Sequence, residues 1–418
     1  MSLLLYNLFI VCYRWALQLA ARWNPKAKKW VEGRNDWERS LIRFRESDER
    51  PMVWMHCASL GEFEQGRPIL EWIRSNYPNH CILLSFFSPS GYEIRKNYAG
   101  ADYVCYLPMD NAKNARKFVD IAKPSLVIWV RYEFWYHYLN TLAGKNIPVL
   151  LIAGRFRKSQ PFFKGYGRLH RHMLTCFQHL FLQDTASAEL LQKIAIHKTT
   201  VAGDTRYDRV SAIAGKFEPI PEIEGFIGQS PVIVCGSTWP EDEEELDHFA
   251  NTHPDIRFII APHEIDEEHL RDMEKLFQHT IRFSAWKQAQ ENGIKANVLI
   301  IDNIGMLSRL YKYAKLAYVG GGFGDDGLHN ILEAAVYGVP VIHGPVYDRF
   351  PEANDLIEAG GGFAVSTALE LEDRFNLLLK DTDALEKASR EAAAFVASRR
   401  GASEIIQTYL EEKRLLTS

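Results

Sequence analysis

Leu316-Ala317-Tyr318-Val319-Gly320-Gly321-Gly322-Phe323-Gly324-Asp325-Asp326-Gly327-Leu328-His329-Asn330-Ile331-Leu332-Glu333 reads as a short apolar strand, a glycine loop and the opening of a helix that runs to about Gly338. Such a loop lets backbone N–H groups approach a phosphate closely, and the helix N-terminus beyond it adds partial positive charge. Glu333, about one turn in, is placed to accept hydrogen bonds from a sugar hydroxyl. The combination points to a nucleotide-activated sugar. The other reading is a glycine turn that only packs a helix on a sheet. The glycine spacing is not that of the dinucleotide fingerprint.

Outward from this loop, strand-like runs recur in both directions. Before it lie Val53–Cys57, Ile82–Phe87, Tyr103–Leu107, Leu126–Val130, Val149–Ala153, Leu180–Gln183 and Thr200–Ala202. Helix-length segments such as Glu62–Ser75, Asn111–Ala122 and Ala186–Ile194 separate them. The pattern restarts with Val232–Cys235, Phe258–Ala261 and Val298–Ile301, then continues after the loop with Val341–His343 and Phe363–Val365. Continuous apolar strands alternating with helices predict parallel sheets covered on both faces. The fold class expected is α/β, with two doubly wound Rossmann-like domains facing an interdomain cleft, the GT-B architecture. Pro219, Pro221, Gly225 and Gly228 mark residues 215–230 as a linker between domains at 26–214 and 231–400. Residues 401–418 read as a further amphipathic helix.

The 418 residues carry a formal net charge of -4, which excludes a globally basic nucleic-acid binder. The six cysteines contain no C-x-x-C pair and several sit in apolar runs, so reduced thiols in a cytoplasmic setting are expected. Leu3 to Ala21 is almost wholly apolar and is followed by Arg22, Lys26, Lys28 and Lys29. The central Arg14 disfavours a spanning helix, and the absence of a preceding basic stretch disfavours a cleaved leader. Residues 1–25 are therefore expected to associate with a cytoplasmic membrane surface. Packing of that helix on the protein's own core is the alternative.

Three further stretches carry candidate chemistry. In Met55-His56-Cys57-Ala58-Ser59-Leu60-Gly61-Glu62, a strand turns into a helix with Glu62 in its first turn. A carboxylate there suits a general base for a hydroxyl proton, or simply a stabilised helix start. In Ile128-Trp129-Val130-Arg131-Tyr132-Glu133-Phe134-Trp135, Glu133 is placed to orient a substrate or to pair with Arg131 or another cation. Arg155, Arg157, Lys158, Lys164, Arg168 and Arg171, interleaved with Phe162, Phe163 and Tyr166, form a basic stretch suited to phosphate groups or to solvent. In the second half, Gly236-Ser237-Thr238 and Pro262-His263 end strands and are candidates for phosphate or base contacts. Asp325-Asp326 is read as a solvated turn and not as a metal site.

In order along the chain these motifs resemble the 3-deoxy-D-manno-octulosonic acid (Kdo) transferases of lipopolysaccharide and lipid A biosynthesis. The likeness rests on H-x-x-S-x-G-E at His56–Glu62, E-x-W at Glu133–Trp135, Gly154, Arg155 and Ser159, and Gly203–Asp208. It continues through Gly236–Thr238, His329–Glu333 and Gly344–Pro345. The resemblance implies an inverting transfer of Kdo from CMP-Kdo to the primary hydroxyl of a phosphorylated, acylated glucosamine disaccharide, with no obligatory metal. It places the enzyme on the cytoplasmic face of the inner membrane. Glu62 and Glu133 map to catalytic positions, and Ser59, Gly61, Arg155 and Ser159 to the acceptor site in residues 26–214. Gly236, Ser237, Thr238, Pro262, His263, Gly321, Gly322, His329, Asn330 and Glu333 map to the donor site in residues 231–400. The chain departs from the family pattern at Arg131, Tyr136, Trp239, His263 and Ala334, most of all where His263 replaces an arginine. A different donor, or a UDP-sugar 2-epimerase of the same architecture, is the alternative.

Overall fold

The computed structural model describes residues 2–289, 296–324 and 327–416. Strands β1 (Met52–Cys57), β2 (Cys81–Phe86), β3 (Tyr103–Tyr106), β4 (Pro124–Val130), β5 (Val149–Gly154), β6 (His179–Leu182) and β7 (Thr199–Val201) form one parallel sheet in the order β3-β2-β1-β4-β5-β6-β7. A second parallel sheet takes β8 (Val232–Thr238), β9 (Arg257–Pro262), β10 (Thr280–Arg282), β11 (Val298–Ile300), β12 (Leu316–Val319), β13 (Val341–His343) and β14 (Gly362–Ala364). Its order is β10-β11-β9-β8-β12-β13-β14. Both orders reverse direction beside the first strand, as in doubly wound sheets with helices on each face. Every strand expected from the sequence is present, each within a residue or two except β8, which runs three residues beyond the expected end at Cys235. The one strand not expected, β10, has three residues at a sheet edge, with a single buried apolar side chain, Ile281.

The first unit runs to Asp208 and takes back the tail from Arg400, while the second spans Arg209–Arg399. Residues 215–230, expected as a linker, instead hold a helix, Pro221–Ile227, with Ile220, Ile223 and Phe226 buried in the second unit. Their spacing is that of a helix face, which the prolines and glycines around them disguised. The tail helix Ala402–Glu412 belongs to the first unit: Ile406 and Leu410 join the core formed by Ile69, Leu70 and Phe181. Asp208 fixes it by accepting the Gly401 and Ser403 N–H groups, each at 2.6 Å. The Gly203–Asp208 motif is thus a structural clasp, since Asp204 also pairs with Arg206 at 2.8 Å and receives Gln183 at 3.1 Å.

The N-terminal helix Leu3–Ala20 turns an aromatic stripe inward. Tyr6 and Ile10 are buried, and Tyr13 and Leu17 lie partly buried beside Trp30, Phe87 and Met109. The Tyr6 hydroxyl donates to buried Asp110 at 2.6 Å, and Asn7 Oδ1 meets His137 Nε2 at 2.7 Å. The opposite face leaves Leu4 76% and Trp15 71% exposed, together with Leu5, Leu8, Phe9, Val11 and Leu19. The helix both packs on its own unit and presents apolar side chains outward.

Candidate active site

β1, β4 and β5 are neighbours, so the loops at their carboxyl ends share one edge of the first sheet. Glu62 leaves from β1, Glu133 from β4, and Arg155 and Ser159 from β5. Glu62 sits in the first turn of helix Leu60–Asn76 and is 7% exposed. It does not form a capping box, in which it would bond the cap residue's own N–H. Instead its Oε2 reaches back to the Ala58 N–H at 2.5 Å, and the Ser59 hydroxyl makes no cap bond. Helix stability alone does not account for that arrangement. Burial, reinforced by the charge of Glu133, pushes the Glu62 carboxyl up to about 7; the Ala58 and Tyr132 N–H groups and Arg131 act in the opposite sense. A carboxylate near neutrality is both ionised and basic at working pH.

Glu133 is held by side chains that sequence reading did not connect. Its Oε2 meets His56 Nε2 at 3.0 Å and accepts the Trp135 indole N–H at 2.9 Å, while its backbone carbonyl accepts the Trp129 indole N–H. The other His56 nitrogen lies 2.8 Å from Ser85 Oγ, which accepts the Trp54 N–H at 2.8 Å. An indole only donates and a carboxylate only accepts. The direction of this chain therefore follows for a neutral ring: Trp54 to Ser85, Ser85 to His56 Nδ1, His56 Nε2–H to Glu133. His56 is fully buried, and its partner Glu133 is 19% exposed. Of the roles expected for Glu133, the one naming Arg131 is not seen: Arg131 lies over the Tyr132 ring, 4.7 Å from its centroid. Arg131 and Ala153, at the ends of β4 and β5, have φ of 64° and 54°, so strained backbone sits beside the two glutamates. The signal for His56 was its register: it lies opposite Ser85 in otherwise apolar neighbouring strands.

The basic stretch is dispersed. Arg155 pairs with Asp184 at 3.3 Å, and Arg171 is spent on the carbonyls of Phe162 and Lys164. Phe162 is a core residue, and Ser159 is exposed in the loop after β5. The interleaved aromatics are therefore mainly packing.

In the second unit β9, β8, β12 and β13 are consecutive neighbours, which gathers Pro262, His263, Gly236–Thr238, Gly320–Gly322, His329–Glu333 and Gly344 at one edge. Asp242, fully buried, organises it: Oδ1 accepts the Tyr318 hydroxyl at 2.6 Å, and Oδ2 accepts the N–H groups of Gly321 at 2.8 Å and Trp239 at 2.9 Å. Gly321 has φ of +89°, and a Cβ at Gly322 would lie 2.6 Å from the Gly344 nitrogen. The packing reading of this loop is thus correct for Gly322, whatever else the loop binds. The helix after it is a single turn, Leu332–Ala335, not a run to Gly338. Its short length leaves little dipole for a phosphate. Asn330 donates to Glu333 at 3.0 Å, and burial pushes the Glu333 carboxyl upward.

Two of the departures from the family pattern are in contact. The rings of Trp239 and His263 stack at 4.6 Å, His263 and His329 stack at 4.5 Å, and the Trp239 N–H points to His329 Nε2 at 3.2 Å. Where an arginine was expected, a three-ring stack stands. Among the described residues no group of three or more His, Cys, Asp or Glu is arranged to hold a metal. Asp325 and Asp326 lie outside the described residues.

Residues 35–209 match the family described as 3-deoxy-D-manno-octulosonic-acid transferase. The chain is 28% identical over 346 residues to the 3-deoxy-D-manno-octulosonic acid transferase of Aquifex aeolicus, covering 81% of this chain and 90% of that protein. It is 26% identical over 380 residues to that of Haemophilus influenzae, covering 86% and 87%. Among solved structures it is similar to UDP-GlcNAc 2-epimerase from Neisseria meningitidis, with TM-score 0.60, 17% identity, and 86% and 100% of the two chains covered. A glycosyltransferase from Rickettsia africae gives TM-score 0.54, 15% identity, and 88% and 99% coverage. At such identity the structural likenesses speak for the fold alone. The chain has the GT-B fold and, over most of its length, is similar in sequence to 3-deoxy-D-manno-octulosonic acid transferases.

Proposed function

We propose that the protein transfers Kdo from CMP-Kdo to the primary hydroxyl of a phosphorylated, acylated glucosamine disaccharide, with inversion at the anomeric carbon. The observation that carries this reading is Glu62, poised near neutrality at the carboxyl edge of the first sheet in a chain related to Kdo transferases. Glu62 takes the hydroxyl proton as the acceptor oxygen bonds to the anomeric carbon. The bond from that carbon to the CMP phosphate breaks, and CMP leaves with the electron pair. A phosphate leaving group needs no general acid, so one base suffices. The His56–Glu133 chain fixes the second carboxylate beside the first, where it favours the developing positive character at the sugar. Ser59, Gly61, Arg155 and Ser159 line the acceptor side. Gly236–Thr238, Pro262, His263, Gly321, Gly322, His329, Asn330 and Glu333 hold the donor, without a metal.

The acceptor is a lipid, and the outward apolar face of helix Leu3–Ala20, continued by Arg22, Lys26, Lys28 and Lys29, supports work at the cytoplasmic face of the inner membrane. A second reading, a UDP-sugar 2-epimerase, draws on the fold likeness alone and gives that helix no purpose. Incubation with freshly made CMP-Kdo and a tetraacylated lipid A precursor tests the proposal. Acceptor-dependent CMP release with Kdo mass added to the lipid supports it. A folded protein that leaves both substrates unchanged, or that epimerises a UDP-sugar, refutes it.

A further inference from the structure

Beneath helix Leu3–Ala20 the first unit has a cavity of about 210 Å³, lined among others by Arg14, Gln18, Trp30, Arg34, Asn35 and Asn114. Arg34 is the unusual member. Its guanidinium donates to three backbone carbonyls, Leu107 at 2.9 Å, Trp30 at 2.8 Å and Phe87 at 2.7 Å. It lies against the Trp30, Phe87 and Tyr106 rings, with its central carbon 3.7 Å from the Trp30 centroid. No carboxylate lines the cavity, and neither arginine has an ion-pair partner among the described residues. A largely enclosed guanidinium normally keeps a carboxylate beside it, because carbonyls and ring faces replace only part of its hydration. Arg14, one turn before Gln18 on the helix, brings a second cation to the same space. Two cations converging on amide donors, with no acid, match an anion with several acceptor oxygens. Trp30 supplies a further indole N–H that has no acceptor among the described residues.

We infer that this cavity is a seat for the phosphate monoester of a membrane lipid head group. Its position fits, since its wall is the helix whose other face is apolar and outward. It is also near the catalytic edge: Arg34 donates to the Phe87 carbonyl, and the Phe87 ring lies 4.7 Å from that of Trp135, which donates to Glu133. The inference deepens the transfer reading by giving a phosphorylated lipid a fixed place beside Glu133, but binding and turnover are separable.

The test is co-sedimentation of the full chain with phosphatidylcholine vesicles doped, at matched surface charge, with phosphatidic acid or with phosphatidylglycerol. The expected result is roughly tenfold tighter binding to phosphatidic acid, the worth of about one charge-assisted hydrogen bond. Arg14→Gln, on an exposed helix face, should erase that preference, as should excess inorganic phosphate. Lys28→Gln, which removes the same charge outside the cavity, should leave it. Arg34→Lys should weaken it by losing the guanidinium fork; if that variant does not fold, Arg14→Gln decides. Equal binding to both vesicles, or a preference that survives Arg14→Gln or excess phosphate, overturns the inference. Because no donor is present, failure here leaves the transfer reading standing, and failure of transfer leaves this site standing.

Discussion

The strand-end cluster of the first unit is made of side chains, and that of the second is made largely of backbone. Around Glu62 and Glu133 the chain from Trp54 through Ser85 and His56 holds one carboxylate, while Glu62 keeps a backbone N–H and a raised pKa. Around Gly321 and Gly322 the close contacts are main chain on main chain, and one buried aspartate, Asp242, ties strand, loop and helix together. The difference separates two kinds of sensitivity. Conservative substitutions in the first cluster should alter rate while sparing the fold, whereas small additions in the second should be felt first as stability.

The largest expected effect is on Glu62. Glu62→Gln keeps size and loses the base, so turnover should fall by ~10²–10⁴-fold with an unchanged circular dichroism spectrum. Full turnover in that variant would remove the distinction between the clusters. Gly322→Ala makes the converse case: its Cβ meets the Gly344 backbone, and denaturant unfolding should register a loss of about 1–3 kcal/mol. A neutral result would mean that the loop yields easily and is not a rigid cradle. Trp239→His and His263→Arg change two stacked departures from the family pattern, the second to the arginine expected there. Measured singly and together, they should be non-additive by about 0.5–3 kcal/mol in stability, because the two side chains stack directly on one another. Additive effects would show the stack to be incidental.

Gly61 offers the smallest and most informative change. A Cβ there meets nothing within 4 Å, although a glycine in a helix costs up to about 1 kcal/mol relative to alanine. The open space lies beside Glu62, where the proposed acceptor would approach. Gly61→Ala should leave stability equal or slightly higher and raise the acceptor KM more than it changes kcat. A lower KM would show that this space is not used by the acceptor.

How far the sequence was legible followed the same division. Parallel strands buried on both faces are continuous apolar runs, and they were found almost to the residue; β10 escaped because Thr280 and Arg282 flank its only buried apolar side chain. Glu62 and Glu133 were visible as strand-end carboxylates, but their partners were not. His56 and Ser85 are brought together by strand register, which a linear reading does not weigh. The glycine loop was found and its helix overdrawn, since Ala334 to Tyr337 is helix-compatible locally while only Leu332–Ala335 is helical. Composition misled at residues 215–230, where prolines and glycines framed a helix with a buried face. The stacking of Trp239 on His263 turned two separate departures into one feature.

The most direct measurement of the central claim, that Glu62 is a base tuned by its neighbours, is the pH dependence of kcat/KM in the wild type and in Glu133→Gln. Burial and the like charge of Glu133 both raise the Glu62 pKa, so the base is ionised only as pH rises through about 7. The same raised pKa means that the carboxyl's contribution to folding is complete below its ordinary range and is lost as pH climbs through that value. The account predicts an ascending limb with a midpoint near 7, moved to lower pH when the Glu133 charge is removed. A flat profile, or a midpoint that stays or rises in Glu133→Gln, would contradict it.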